Sequence, residues 1–433
     1  MHRMATLRRE LGLVGAVGLG LGSILGTGVF VAIAIAAGVA GPWLPLAIAI
    51  AAFVAACNGL SSAQLAAVHP VAGGTYAYGR RFLTPAVGFF AGWTFLAAKS
   101  ASAATAALGV AGYLVLMAGW PEPVRVPLAI GAVAALTVLV QAGLRRSNVV
   151  NLVLVGITLL ALATFVLAGL PTALAGGAGE AAGAAVPDGA TAPAAPFDLS
   201  ALAFAAALSF VAFTGYGRVA TLGEEVRDPR RIVPLAVIVT LITTLVVYLA
   251  VAWVGLAAVG GEAMGAATAG AAAPLTVVAL AFEVPFVPAV VAFGAITAMA
   301  GVLLNLILGL SRVAFAMARD GEAPAALARL DATGSTPTAA VWAIGLAVAA
   351  LAATGDVRAT WSFSAVTVLL YYAVTNVAAL RVREGRFVPK AVSWTGLASC
   401  LALSVFVPPL TWAAAAALIA AGFLLRWWAR DRT

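Results

Sequence analysis

The chain has 433 residues, of which 63% are hydrophobic and only 9% are charged, and its mean hydropathy is +1.08. A soluble domain carries roughly 25% charged residues, so this composition excludes a soluble globular protein and indicates a surface that faces lipid. The net charge of +8 does not indicate nucleic-acid binding, because that would require one contiguous basic face and the basic residues are scattered among short loops.

Apolar stretches near the length that crosses a bilayer predict twelve transmembrane helices. They leave no segment for a soluble domain. The first stretch lacks a small-residue cleavage site, so we interpret it as a retained helix rather than a signal peptide. The predicted helices are 12–38, 43–67, 86–118, 127–144, 149–171, 199–222, 234–259, 286–316, 338–354, 361–381, 390–408 and 410–428.

The basic residues lie almost entirely in alternate turns and in the two tails. Arg125 and Arg358 are the exceptions among the loops, and Lys99 lies within predicted helix 3. Because short cytoplasmic loops of membrane proteins carry an excess of Lys and Arg, we predict that both termini are cytoplasmic.

One predicted loop is much longer than the others. Residues 172–198 are almost all Ala, Gly and Pro, and the predicted topology puts them on the extracellular side. Since the segment has no hydrophobic periodicity, we predict a flexible surface loop. An external lid over the transport path is the alternative.

Two glycine-rich segments interrupt the apolar helices. GSILGTG, Gly22–Gly28, lies within helix 1, and FTGYG, Phe213–Gly217, lies within helix 6. Irregular backbone at membrane depth is tolerated only where it is buried in protein or lines a cavity. A pair of such breaks in matching positions of two halves indicates the binding site of a transporter. Close helix packing through small residues is the alternative.

The positions of the breaks predict an inverted repeat. They lie about 190 residues apart, near Leu25 and Gly215. Each break lies in the first of five consecutive helices. Because five is odd, the second set enters the membrane from the opposite side. The predicted organisation is a first repeat at 12–171, the loop at 172–198, a second repeat at 199–381 and an appended helix pair at 390–428.

Three motifs identify a family. GSILGTGVF (Gly22–Phe30), FVAFTGYGRVATLGEEVRDPRRIVP (Phe210–Pro234) and SRVAFAMARDGEAP (Ser311–Pro324) occur in this order. They resemble helix 1, helix 6 with its following loop, and the end of helix 8 in the amino acid–polyamine–organocation (APC) superfamily, in particular its bacterial members similar to cationic amino acid transporters. The resemblance covers the whole chain and implies an all-α LeuT-type membrane fold with the substrate held between helices 1 and 6.

The resemblance also implies which groups hold the substrate. Helix 1 backbone amides of Gly26, Thr27 and Gly28 would bind the substrate carboxylate, and carbonyls at the two breaks would bind its amine. An aromatic side chain in helix 6 would cover the substrate as an outer gate, with core packing as the alternative. The predicted substrate-binding residues are Ser23, Ile24, Gly26, Thr27, Gly28, Val211, Ala212, Phe213, Thr214 and Gly215, with Phe213 as the gate.

The chain departs from the family at the coupling position. Proton-coupled relatives usually carry a lysine in helix 5, and the matching residue here is Thr158. Lys99 lies about 20 Å into helix 3, near mid-membrane, where a lysine is costly and indicates function. Because burial favours an uncharged lysine, we expect Lys99 to exchange the coupling proton. A structural role at a helix break and direct substrate contact are the alternatives.

Two further groups are candidates for coupling and gating. Thr158, with Thr297 or Asn305, offers oxygen ligands of the kind that sodium prefers, although no carboxylate is nearby, so we consider sodium less favoured than protons. Glu224 and Glu225 end helix 6 on the cytoplasmic side. They are candidates for an inner ion-pair gate, and a solvated run of charges is the alternative.

The sequence predicts a transporter rather than an enzyme. Cys57 and Cys400 fall in predicted spans and the two histidines stand alone, so we expect no disulfide framework, metal site or cofactor. Convergent catalytic side chains are likewise missing from the spans.

We predict a secondary active permease of the bacterial inner membrane that carries a neutral amino acid with protons by alternating access. A cationic substrate would need a membrane-embedded acid, and Glu283 lies only at the outer end of helix 8. A polyamine or cationic-amine exchanger on the same fold, and a substrate-sensing receptor, remain as rivals. The identity of the amino acid, uptake against exchange, and the oligomeric state stay open.

Overall fold

The structure is a computed structural model, and it describes most of the chain as helix. Apart from a single bridge residue at Val226, the regular structure of the described part is helical, which confirms the all-α prediction. The described residues are 12–69, 73–143, 148–175, 197–220, 226, 228–270, 272–331 and 336–430.

Sixteen α-helices follow one another in these ranges. In chain order they are α1 (Leu13–Ile24), α2 (Ile33–Ala40), α3 (Leu44–Val68), α4 (Gly74–Phe82), α5 (Pro85–Ala118), α6 (Arg125–Gln141), α7 (Asn148–Leu174), α8 (Leu199–Phe213), α9 (Gly217–Ala220), α10 (Pro229–Ala269), α11 (Pro274–Leu280), α12 (Val287–Arg319), α13 (Thr338–Ala352), α14 (Val357–Arg381), α15 (Lys390–Val405) and α16 (Pro409–Arg430).

These helices match the twelve predicted spans. Nine stretches of the described chain are long and apolar enough to cross a membrane. The first of them, Leu13–Val68, contains predicted helices 1 and 2, which a turn at Gly41–Trp43 separates. The two shorter apolar helices, α13 and α15, are predicted helices 9 and 11. The chain is therefore an integral membrane protein.

Some helical segments escape the sequence prediction. The short helices α4 and α11 fall where the sequence suggests only turns, and α10 continues past its predicted end at residue 259. That extension follows a kink at Gly260, whose φ of 77° lies in the left-handed region that glycine adopts without strain. Helix α7 runs three residues into the predicted loop, and the rest of that loop, residues 176–196, lies outside the described residues.

Both helix breaks lie where the glycines predict them. In helix 1, α1 ends at Ile24, and Leu25 is extended with ψ 98° before a π-helical turn at Gly28–Ala32 leads into α2. In helix 6, α8 gives way to a 3₁₀ turn at Thr214–Tyr216, and α9 follows. Helix 1 and helix 6 are thus each divided into two halves.

Helix α5 is central to the bundle and packs against both α12 and α14. Small buried residues along α5 permit this close approach, as is common in membrane interiors. Two pairs of hydroxyls join α5 to α14: Ser102 to Ser364 at 2.8 Å, and Thr105 to Thr360 at 2.8 Å. The scaffold around the breaks is therefore fixed by polar contacts as well as by packing.

An ion-pair cluster lies at the end of the bundle where α4, α12 and α16 meet. Glu322 follows α12 and is only 1% exposed. Its carboxylate accepts hydrogen bonds from Arg80 of α4 at 3.1 Å and from Nε and Nη2 of the Arg426 guanidinium of α16. Beside it, Tyr76 donates to Asp320 at 2.7 Å, and burial together with this carboxylate raises the pKa of Tyr76. The cluster joins three helices that are distant in sequence.

We predict that Arg426→Ala destabilises the protein by about 3 kcal/mol, because removing one partner of a buried ion pair leaves an uncompensated charge. Unfolding in mixed detergent micelles, followed by loss of helical circular dichroism, measures this change. Arg358→Ala, which removes an exposed arginine, is the control and should shift the transition little. Equal shifts in the two variants would contradict the structural importance of the cluster.

Candidate functional site

A cavity of ≈ 320 Å³ lies where the two helix breaks meet. Ser23 lines it from the end of α1, and Thr214 and Gly215 line it from the helix 6 break. Lys99 reaches it from the middle of α5. Residues of α4, α12 and α14 complete the wall. The feature predicted from paired breaks, a cavity at membrane depth, is present.

The cavity extends from the breaks toward α4, α9 and the end of α12. Tyr76, Arg218 and Arg312 line that end. Toward the opposite side, Phe213 and Tyr248 have no exposed surface and their ring centroids lie 5.0 Å apart. The structure therefore shows a cavity on one side of the breaks and a closed, aromatic contact at Phe213 on the other.

A second contact lies on the closed side of the breaks. The Tyr113 hydroxyl of α5 donates to the Phe30 carbonyl at 2.8 Å and accepts the Leu275 backbone N–H at 3.3 Å. Phe30 belongs to the π-helical turn of helix 1, and Leu275 belongs to α11. A single hydroxyl thus links α11 to the second half of helix 1.

Lys99 contacts the helix 6 break. Its Nζ donates to Thr214 Oγ1 at 2.7 Å, and Thr214 Oγ1 in turn donates to the Val211 carbonyl at 2.7 Å. The ion pairs found within the described ranges involve Arg80 and Arg426, and none includes Lys99. The Thr214 hydroxyl therefore connects the ammonium to the Val211 carbonyl at the break. The hydrogen-bond partner of the ammonium is neutral.

Tyr248 of α10 joins the two breaks, a role that the sequence analysis missed. Its hydroxyl lies 3.2 Å from the Ile24 carbonyl and 3.1 Å from the Ala212 carbonyl. One hydroxyl proton can be given to only one acceptor at a time, so the two carbonyls share this donor. In the sequence, Tyr248 is the one tyrosine of the apolar stretch LITTLVVYLAV. Because a buried tyrosine hydroxyl usually has a hydrogen-bond partner, its presence there could have indicated a polar contact inside the membrane.

The predicted substrate-binding residues divide into two groups. Ser23, Thr214 and Gly215 line the cavity. The others are buried around the breaks and are not part of the cavity lining. This second group comprises Ile24, Gly26, Thr27, Gly28, Val211, Ala212 and Phe213.

An aromatic wall faces the breaks. The rings of Tyr371 and Tyr372 lie 4.3 Å apart, and Phe95 packs edge-on against Tyr371 at 5.4 Å. The Tyr372 hydroxyl also donates to the Thr214 carbonyl, at 3.4 Å. One side of the cavity is therefore apolar, and the other offers backbone and hydroxyl groups.

Charged groups in the cavity lining are all basic. Lys99, Arg218 and Arg312 line the cavity, and no aspartate or glutamate of the described chain does. Arg218 and Arg312 each have interactions of their own. The described lining thus offers a cationic substrate no carboxylate.

Two of the three candidates for sodium coordination donate their hydroxyls within their own helices. Thr158 donates to the Leu154 carbonyl at 2.7 Å, and Thr297 donates to the Phe293 carbonyl at 2.9 Å, in each case one turn back in its own helix. Asn305 instead lines the cavity. The proposed inner gate residues, Glu224 and Glu225, lie outside the described residues.

Comparison with known proteins gives the context of this geometry. The family profile for amino acid permeases matches residues 15–430. An uncharacterized transporter of Mycobacterium tuberculosis is 42% identical over 418 residues, 96% of this chain and 90% of that protein. The branched-chain amino acid permease BcaP of Bacillus subtilis is 27% identical over 358 residues, 78% and 73% of the two chains. The methylthioribose transporter of the same species is 26% identical over 454 residues, 97% and 93%.

The profile covers almost the whole chain, from the first membrane helix to the last. Cationic amino acid transporters of Arabidopsis thaliana and Homo sapiens are also similar, in agreement with the resemblance that the helix 1, helix 6 and helix 8 motifs carry. These relatives are transporters, not enzymes. The chain belongs to the amino acid permease family of the APC superfamily.

Proposed function

We propose that this permease carries a neutral amino acid across the bacterial inner membrane together with protons, by alternating access, with both termini in the cytoplasm. The observation that carries the proposal is the cavity at the junction of two broken helices, with Lys99 hydrogen-bonded to one break. Backbone groups freed at helix ends are suited to a zwitterion, since amides favour a carboxylate and carbonyls favour an ammonium.

The substrate carboxylate would bind at the start of the outer half of helix 1. There the first N–H groups of the half-helix, at Gly26, Thr27 and Gly28, lack acceptors in the preceding turn, as at any helix N-terminus. The substrate amine would donate hydrogen bonds to the carbonyls of Ile24 and Ala212, which the Tyr248 hydroxyl contacts in the structure. Binding would therefore replace the tyrosine hydroxyl as the hydrogen-bond donor at the breaks.

A neutral side chain fits the charges of the site. The lining contains Lys99 and, within the described ranges, no carboxylate, whereas a cationic side chain in a membrane-embedded site needs an acidic partner. This argument weighs against a polyamine or cationic-amine exchanger.

Proton coupling is assigned to Lys99. Its ammonium donates a hydrogen bond to the Thr214 hydroxyl, which donates to the Val211 carbonyl at the helix 6 break. Loss of the proton would leave a neutral amine, which donates a weaker hydrogen bond to Thr214 than the ammonium does, and would so alter the hydrogen bonds of the break. The charged groups that share the cavity, Arg218 and Arg312, lie on α9 and α12. The state of Lys99 and the conformation of helix 6 are thereby linked.

Alternating access would follow from movement of the broken helices against the scaffold. An inward-facing arrangement would have its outer side closed by Phe213 and by the Tyr113 contacts with helix 1 and α11. Opening outward would separate these contacts and close the cytoplasmic end at α4. The division into repeats at 12–171 and 199–381, with an appended pair at 390–428, fits this movement because each repeat contributes one broken helix.

Transport is tested with purified protein in liposomes, an inward proton gradient and no sodium. We expect accumulation of at least one labelled neutral amino acid, abolished by an uncoupler. Putrescine and methylthioribose are included as competitors, since one relative is a methylthioribose transporter. Competition by putrescine alone would establish the exchanger, and transport of methylthioribose without any amino acid would overturn the proposed substrate class.

We predict that Lys99→Ala abolishes proton-driven accumulation, lowering it at least about tenfold, but keeps exchange of labelled against unlabelled substrate. Uptake with and without a proton gradient, measured on the same preparation, separates these activities. Arg358→Ala, an exposed arginine on α14, is the control and should accumulate substrate normally. Full accumulation by Lys99→Ala would show that this lysine has only a structural role.

A further inference from the structure

Asn305 differs from the other membrane-embedded amides of this chain. The side chains of Asn58, Asn151 and Asn376 each donate to a backbone carbonyl, of Val54, Gly18 and Tyr372 respectively. Gln64 accepts two backbone N–H groups. These are the polar contacts expected between packed membrane helices. Asn305 makes no such bond within the described chain and instead lines the cavity.

The position of Asn305 is fixed by the contact of α12 with helix 1. Val302 packs against Gly26 so closely that a Cβ on that glycine would lie 2.7 Å from Val302 Cγ2. Asn305 follows three residues later on the same face, about 4.5 Å along the helix axis. Leu306 and Gly309 continue this face and also line the cavity.

The proposed carboxylate site adjoins α12 one turn before Asn305, because Gly26 packs against Val302. A substrate held by the Gly26, Thr27 and Gly28 amides lies beside Val302, so its side chain extends toward the cavity and Asn305. Val302 and Leu306, the lining residues next to it on α12, are apolar. Asn305 is therefore the neutral polar group of α12 that an incoming side chain meets.

A free carboxamide at this position favours one kind of side chain. It offers two donors and one acceptor oxygen, so it can pair with either a hydroxyl or a second carboxamide. An apolar side chain of the same shape would displace water from Asn305 and leave its polar atoms unpaired. A site built to hydrogen-bond a polar group rejects the analogue that lacks it much more strongly than an apolar pocket rejects a missing methylene.

We propose that Asn305 contacts the substrate side chain and selects neutral amino acids that carry a hydroxyl or a carboxamide over aliphatic amino acids of the same size. The assignment depends on the proposed function, because it requires an amino acid at the breaks. It names the substrate class more narrowly: serine, threonine, asparagine and glutamine rather than alanine, valine, leucine and methionine.

The test compares isosteric substrates. Threonine and valine have nearly the same shape, as do glutamine and methionine, so KM values for each pair in proteoliposomes isolate the effect of the polar group. We expect KM to be at least about tenfold lower for threonine than for valine in the unmodified protein. In Asn305→Leu we expect threonine to fall to the level of valine while valine transport is kept, which also shows that the variant folds.

Phe293→Leu, on the exposed face of α12 and outside the cavity lining, is the matched control and should keep the preference for threonine. If Asn305→Leu transports neither substrate, Asn305→Gln decides, because it keeps the carboxamide: a retained preference supports the assignment and a lost preference overturns it. Equal KM values in the unmodified protein, or an unchanged preference in Asn305→Leu, would overturn the role of Asn305 and leave amino acid transport standing. Absence of transport for every amino acid would overturn the proposed function itself.

Discussion

The contact between the two helix breaks is the constraint on which the rest of the site depends. Gly215 of the helix 6 break lies against the Ser23 carbonyl and the Ile24 side chain of helix 1, and a Cβ there would lie 2.5 Å from the Ser23 carbonyl carbon. Only glycine permits this approach. Because of it, backbone groups from both halves of the chain converge at one depth, and Tyr248 and Lys99 can reach them.

Backbone groups at membrane depth must be satisfied, and here hydroxyl groups satisfy the carbonyls of both breaks. The Tyr248 hydroxyl contacts the carbonyls of Ile24 and Ala212. The Thr214 hydroxyl donates to the Val211 carbonyl, and the Tyr372 hydroxyl donates to the Thr214 carbonyl. A substrate amine would therefore exchange with existing donors rather than fill an unmet need. The net free energy of such an exchange is small, which suits a carrier that must release its substrate.

The sequence predicts features that depend on local composition, and it misses those that depend on packing between distant segments. Apolar length gives the membrane helices, the glycines give both breaks, and the depth of Lys99 marks it for a role at the site. By contrast, the Arg80–Glu322–Arg426 cluster joins residues more than 100 positions apart along the chain, and Tyr248 is unremarkable until helices 1 and 6 enclose it. Helices α4 and α11 are too short to give a periodic signal. Asn305 becomes informative only when its lack of a partner is visible.

The most direct test of the account replaces Gly215 with alanine and measures equilibrium binding of the transported amino acid to purified protein. Gly131→Ala on α6, where an added Cβ meets nothing within 4 Å, is the matched control. The account predicts that Gly215→Ala loses binding, by at least about tenfold in Kd, with helical content close to that of the control, because the added Cβ disturbs the contact between the breaks. Unchanged binding in Gly215→Ala would contradict a substrate site formed by the meeting of the two breaks.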